Sequence, residues 1–108
     1  MEMNTYQSLA LRTAGEHETE NDALINWSLG LAGESGEFAN MVKKYIYHGH
    51  YIDTKELAKE LGDILWYVSQ AAEVLGFSLE EVAATNIDKL ARRYPDGFSE
   101  DASRNRKD

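Results

Sequence analysis

Two short segments of this 108-residue sequence place acids in pairs at helical spacing: Gly33-Glu34-Ser35-Gly36-Glu37 and Glu60-Leu61-Gly62-Asp63. On a helix, residues three apart are neighbours on one face. Two carboxylates there repel, and partial burial makes the repulsion worse. If the two helices pack antiparallel through apolar stripes, the pairs face each other and four carboxylates share a small space. Desolvating that much like charge is costly unless a cation neutralises it. All-oxygen donors suit a hard divalent ion, Mg2+ first and Mn2+ as a substitute. A ferritin-like di-iron site would instead need Glu-x-x-His pairs. None of His17, His48 or His50 has a Glu three residues before it, and the chain has no cysteine. Thiolate sites, disulfides and cysteine nucleophiles are therefore excluded.

Carboxylate-held magnesium also takes substrate phosphates, so phosphate-binding groups are expected nearby. Asn86, Lys89 and Arg93 stand at i, i+3 and i+7 on one helical face, and Lys43 and Lys44 follow the first acid pair by about two turns. Such cations grip phosphate oxygens. Trp66 and Tyr67 are candidates for contact with a base; Trp27 reads more naturally as core.

Four helices and no strands are expected to position these groups. The first spans about residues 5–15, the second 22–47, the third starts at Asp53 and ends at Gly76, and the fourth starts at Ser78 and stops at Tyr94 before Pro95. Asp53 and Ser78 each have a Glu three residues on, at capping-box spacing. On the second helix Leu24, Trp27, Leu31, Phe38, Met41, Val42 and Tyr45 share one side, with Glu34 inside that stripe and Glu37 on its flank. The opposite side carries Ile25, Leu29, Ala32, Gly36 and Ala39. A helix apolar on two sides must be covered on two sides, which predicts an oligomer. On the third helix Leu57, Leu61, Ile64, Leu65, Val68, Ala72 and Leu75 form the apolar side, with Glu60 and Asp63 beside it. Trp66 points elsewhere and is expected to meet a partner subunit or a ligand. Gly33, Gly36 and Gly62 cost about 1 kcal/mol each in helix interiors, which suggests close helix packing or close ligand approach. Glu34, the most embedded acid on this reading, should depend most on a cation for its charge.

Composition bounds the partners. The formal net charge is −8, which opposes binding along a nucleic-acid backbone or an anionic membrane surface. Apolar residues make up 43% of the chain, enough for one globular domain. The N-terminus lacks a basic start and an apolar run, and no stretch approaches the roughly 20 apolar residues of a membrane span. A cytoplasmic location is expected. Residues 1–98 read as a single domain and 99–108 as a polar, mobile tail.

The segments Gly30-Leu31-Ala32-Gly33-Glu34-Ser35-Gly36-Glu37, Glu60-Leu61-Gly62-Asp63-Ile64-Leu65-Trp66-Tyr67 and Asn86 through Phe98, in this order and with 22 residues between Glu37 and Glu60, resemble MazG-like nucleotide pyrophosphohydrolases. The resemblance covers roughly residues 20–98 and a single catalytic module. It implies an all-α NTP pyrophosphatase fold of four to five helices, working as a homodimer or homotetramer. It implies cleavage of nucleoside triphosphates, deoxy or ribo, to the monophosphate and pyrophosphate. By that similarity Glu34, Glu37, Glu60 and Asp63 are the magnesium ligands. Lys89 and Arg93, with Asn86 helping and Lys43 a looser match, contact phosphates. Glu37 and Glu60 are the catalytic candidates, Glu37 as the base that takes a proton from the attacking water. Two other readings stay open on the residues alone: a non-catalytic helical interaction module with a solvated acidic rim, and a nucleotide sensor that binds without hydrolysis.

Overall fold

Three side-chain oxygens set where the longer helices begin. Thr19 accepts from the Asp22 amide at 3.0 Å, Asp53 from Lys55 at 2.9 Å, and Ser78 from Glu81 at 3.0 Å. Each satisfies an amide that a helix start leaves unpaired. In the computed structural model, which describes residues 1–106, five helices result: α1 (Met3–Leu11), α2 (Glu20–His48), α3 (Thr54–Leu75), α4 (Leu79–Arg93) and α5 (Glu100–Arg104). Acids occupy the first turns of α2, α3 and α4, and Arg92 and Arg93 the last turn of α4, as the helix dipole favours. α3 ends on Gly76, whose φ of 84° is a left-handed conformation open to glycine at little cost. No strand forms among the described residues; an isolated bridge joins Pro95 and Gly97.

Two boundaries differ from expectation. α1 stops at Leu11, and residues 12–14 continue only as turns. The described part of the expected tail forms α5, because Ser99 caps it through the Ala102 amide and Asn105 closes onto Asp101. Residues 107–108 lie outside the described residues.

α2 and α3 make the most extensive pairing of the fold and run antiparallel, so that Trp27 meets Trp66 and Tyr67 while Glu34 meets Glu60 and Asp63. Gly30 makes the approach feasible. A Cβ there would fall 2.1 Å from Cε1 of Tyr67, so the tyrosine ring lies directly on the α2 backbone. Gly33, Gly36 and Gly62 have nothing within 4 Å of a would-be Cβ. The close packing expected at those three is absent within the protomer and occurs at Gly30 instead.

α1 locks the other side of α3. Gln70, fully buried, donates to the Ala10 carbonyl at 2.8 Å. Gln7, also buried, donates to Glu73 at 2.9 Å and to the Phe77 carbonyl at 3.0 Å, and accepts from the Leu79 amide at 2.8 Å. Asn4 accepts from the Glu80 amide at 3.1 Å. The first amides of α4 are thus capped largely from α1.

The buried arc of α3 is therefore rotated from the one the leucines predict. Glu60, Ile64, Tyr67 and Val68 are half-buried and Ser69, Gln70 and Ala72 buried, whereas Leu61, Leu65 and Leu75 are exposed, Leu61 at 53%. Hydropathy marks one stripe, but α3 serves two neighbours, α2 and α1. Trp66 is half-buried, packed edge to face with Trp27 and Tyr67. The apolar second side of α2 stays uncovered, with Leu29 68% exposed and Ile25 57% exposed. The buried apolar residues are few: Ala10, Ala23, Trp27, Ala72 and Leu79. The radius of gyration is 16.9 Å, against about 13 Å for a compact chain of this size. Among the described residues, no helix is long and apolar enough to cross a membrane.

Candidate metal centre

Glu60 and Asp63 project from successive turns of α3 toward Glu34 on α2. One carboxylate oxygen from each of Glu34, Glu60 and Asp63 lies within 4.8 Å of the other two. Glu34 and Glu60 are half-buried, Asp63 exposed. Three like charges at this spacing oppose one another strongly where water is partly excluded.

Glu60 bears most of the conflict. Its Oε2 is fully buried and has no hydrogen-bond partner. Its carboxyl is raised from its ordinary value, first by a hydrogen bond with the Glu34 carboxyl, then by burial, then by the charges of Glu34, Asp63 and Glu37. An ionised carboxylate only accepts, so two facing carboxylates are compatible when one holds a proton or when both face a cation. The neighbouring Lys59 is turned to Glu56 at 2.9 Å, on the exposed side of α3. Glu60, rather than Glu34, is thus the acid most dependent on a counter-charge. The reason is the rotation of α3, which turns Glu60 inward and Leu61 outward.

The donor set fits a hard divalent cation: three carboxylates from two rigid helices, with one orphaned buried oxygen and no nitrogen or sulfur donor among them. Glu37, one turn beyond Glu34, is exposed and lies outside this trio, yet its charge reaches Glu60. It stands at the open edge of the cluster, where it can serve as a further ligand or as a base.

A pocket of about 280 Å3 adjoins the acids, lined by Glu34, Asp63, Trp66 and Tyr67. The two aromatic candidates therefore sit beside two of the metal candidates. Trp66 and Tyr67 meet edge to face at 5.0 Å, and Trp27 packs behind them, 5.2 Å from Trp66. A second cavity, of about 250 Å3, is lined by Met1, Glu2, Met3, Tyr6, Leu65 and Leu79; it is mainly apolar, and none of the acid trio lines it.

The phosphate candidates are placed differently. Lys43 is exposed on α2, six residues beyond Glu37; Asn86 is exposed and Lys89 and Arg93 half-buried on α4. None of the four lines the acid pocket. α4 packs on α1 and on the end of α3 rather than along α2, and the Arg93 guanidinium lies 5.9 Å from the Tyr94 ring centre. Within one protomer the acids and aromatics converge and the expected phosphate grip does not join them.

Three residues of this region escape a reading of the sequence. Gly30 seats Tyr67; its place one helical turn before Glu34 is the available clue. Thr13 accepts from Trp66 Nε1 at 2.9 Å. Tyr6, on α1, has its phenol pushed up by burial and then by the charge of Asp63, which places it near the acids. No spacing links Thr13 or Tyr6 to the motifs.

Residues 23–98 match the family model described as the MazG nucleotide pyrophosphohydrolase domain. The Gene 37 protein of Mycobacterium phage L5 is similar throughout: 36% identical over 114 aligned residues, covering 98% of this chain and 100% of that protein. No solved structure matches the chain.

Proposed function

We propose a function on the premise that the chain belongs to the MazG nucleotide pyrophosphohydrolase family, to whose domain 76 of its residues, 23–98, match. The protein hydrolyses nucleoside triphosphates, ribo or deoxy, to the monophosphate and pyrophosphate, with Mg2+ as cofactor and Mn2+ as a substitute. The observation that carries this reading is the buried, unpartnered oxygen of Glu60 inside the trio with Glu34 and Asp63. A carboxylate so placed is stable as an anion only with a cation beside it.

Glu34, Glu60 and Asp63 hold the cation, and Glu37 completes the set from its edge. When bound, magnesium neutralises phosphate oxygens and acidifies coordinated water. The residues of the chain do the rest. Glu37, exposed and adjacent, takes the proton of the attacking water. Rigid placement on two packed helices keeps the acids from reorganising during the reaction. Trp66 and Tyr67 bound the side of the pocket where a base can lie. Lys89 and Arg93, with Asn86 and Lys43, supply the counter-charge for the leaving pyrophosphate.

The working unit is a homodimer or homotetramer. The uncovered faces of α2 and α3, the small protomer core and the extended shape support this. So does the separation of α4's cations from the acid pocket, which a second protomer can supply. The enzyme acts on free nucleotides of the cytoplasm and not on nucleic-acid polymers, in keeping with a net charge of −8.

The test is a panel of common NTPs and dNTPs incubated with pure protein and millimolar Mg2+, monitored by pyrophosphate release. Turnover lost on chelation is expected. Absence of turnover with every nucleotide, metal present, would sink the proposal, and tight binding without turnover would make the protein a sensor. Light scattering checks the assembly, with a monomeric mass as the contrary result.

A further inference from the structure

The aromatic wall of the acid pocket is held by a residue outside the family-matched segment. Trp66 Nε1 donates to Thr13 Oγ1 at 2.9 Å, and the same hydroxyl donates to the Ala10 carbonyl at 3.1 Å. The hydroxyl is thus used both as acceptor and as donor, and is itself anchored to the end of α1. Trp66 then stands at 84° to Trp27, 5.2 Å away, and at 88° to Tyr67, 5.0 Å away. Behind Trp27, His17 packs edge-on at 4.9 Å, with the Asn26 amide 3.0 Å from its Nε2. Thr13 and His17 both belong to the connection between α1 and α2, residues 12–19, so this connection braces the aromatic trio.

We propose that Thr13 is a positioning residue for nucleotide recognition: by fixing the Trp66 indole it presets the wall on which the planar base of a bound nucleotide rests. The inference deepens the nucleotide reading above and rests on it. Trp66 and Tyr67 share their pocket with Glu34 and Asp63, so a ligand whose phosphates are drawn to the acid centre has its base at the aromatics. Stacking on an aromatic face needs no particular base edge, and a ring already held by a hydrogen bond and two edge-to-face neighbours loses little freedom on binding. Thr13 touches neither the acids nor the pocket, so its effect falls on binding of the base and not on the chemical step.

Thr13→Val keeps the shape and removes the acceptor; Thr13→Ser keeps it. Thr13 is exposed, and neither change adds bulk to the core. With the preferred nucleotide, Thr13→Val should raise KM about five- to tenfold, with kcat within about twofold. Thr13→Ser should match the wild type. Tryptophan emission gives a readout free of turnover. Titration with a dNTP analogue carrying an imido group between the α- and β-phosphorus, in Mg2+, should quench the wild type, with Kd weakened in Thr13→Val by the same factor as KM. The Mg2+ concentration that half-raises the melting temperature without nucleotide should not move. Unchanged KM and quenching in Thr13→Val, or equal losses in Thr13→Ser, overturn the proposal. If Thr13→Val fails to fold, Thr13→Ala removes the same acceptor with a smaller side chain. It must then show the raised KM, and its wild-type KM is the contrary result. A wild type that neither turns over nor is quenched refutes the nucleotide reading itself, and this inference with it.

Discussion

α3 carries two polar clusters, one buried and one half-buried, and they are built on opposite terms. In its C-terminal half, Gln70 and the α1 residue Gln7 are both buried, and their amides are matched by carbonyls, an amide N–H and Glu73. In its N-terminal half, Glu60 has a buried oxygen with no partner, and its nearest neighbours are like charges. Burial of polar groups is tolerated when each finds its complement and is destabilising otherwise. The amide cluster closes on itself and is a structural joint. The acid cluster is left unbalanced within the chain, as a site built for a cation would be. Ser69 Oγ is also buried without a partner, but a lone neutral hydroxyl costs far less than a crowded charge.

The sharpest way to break the contrast is to neutralise the acid cluster. Glu60→Gln should cut pyrophosphate release by about a hundredfold or more, while circular dichroism shows the helices intact. Metal-free melting should hold or rise, because a like charge has been removed. The amide cluster should respond in the reverse sense. Gln7→Leu strands the Leu79 amide and removes a donor from Glu73, at about 2–4 kcal/mol in chemical denaturation, and leaves the shift of melting temperature with magnesium unchanged. Gly30→Ala tests the approach that holds the acid helices together. The added methyl collides with the Tyr67 ring, and the cost should be about 1–3 kcal/mol despite alanine's better helix propensity.

The smallest expected effect is a pH dependence. Glu60 is raised in the folded state, so folding takes up a proton between its unfolded and folded pKa values. Its contribution is full below the unfolded pKa and is lost as pH rises through the folded one. In metal-free buffer the stability of wild type minus that of Glu60→Gln should therefore fall as pH increases from the carboxylate range toward neutrality, and added Mg2+ should flatten the slope. Paired denaturation curves check this; a difference that grows with pH would contradict it.

What could be read from the sequence is mostly what neighbours in the chain decide. Asp53, Ser78 and Gly76 announce helix ends because caps act over three or four residues, and the Glu-x-x-Glu and Glu-x-x-Asp spacings place each pair on one face before any packing is known. The family assignment rests on such segments and is shown by the match over residues 23–98. The rotation of α3 could not be read, because α1 docks on it through Gln7 and Gln70, residues with no hydropathy signal. Trp66 looked outward for the same reason: its partners, Thr13 and Trp27, are 53 and 39 positions away in the chain. Gly30 stands in the first motif without a signal of its own, since only the position of Tyr67 shows why a side chain is excluded there.

The capping of α4 by Asn4 and Gln7 also bears on the order in which the chain assembles. These bonds span 72 to 76 residues, whereas α2 and α3 meet across the short turn between them. Contacts so distant in sequence form after local ones, because the loop they close must first lose its freedom. During synthesis α1 leaves the ribosome ahead of the other described helices, yet Asn4 and the Gln7 carbonyl oxygen have no counterpart until the start of α4 has emerged. Of the described helices, the first to be made thus completes its contacts last, and until it does, the acid hairpin can form while the fourth helix lacks its caps from α1.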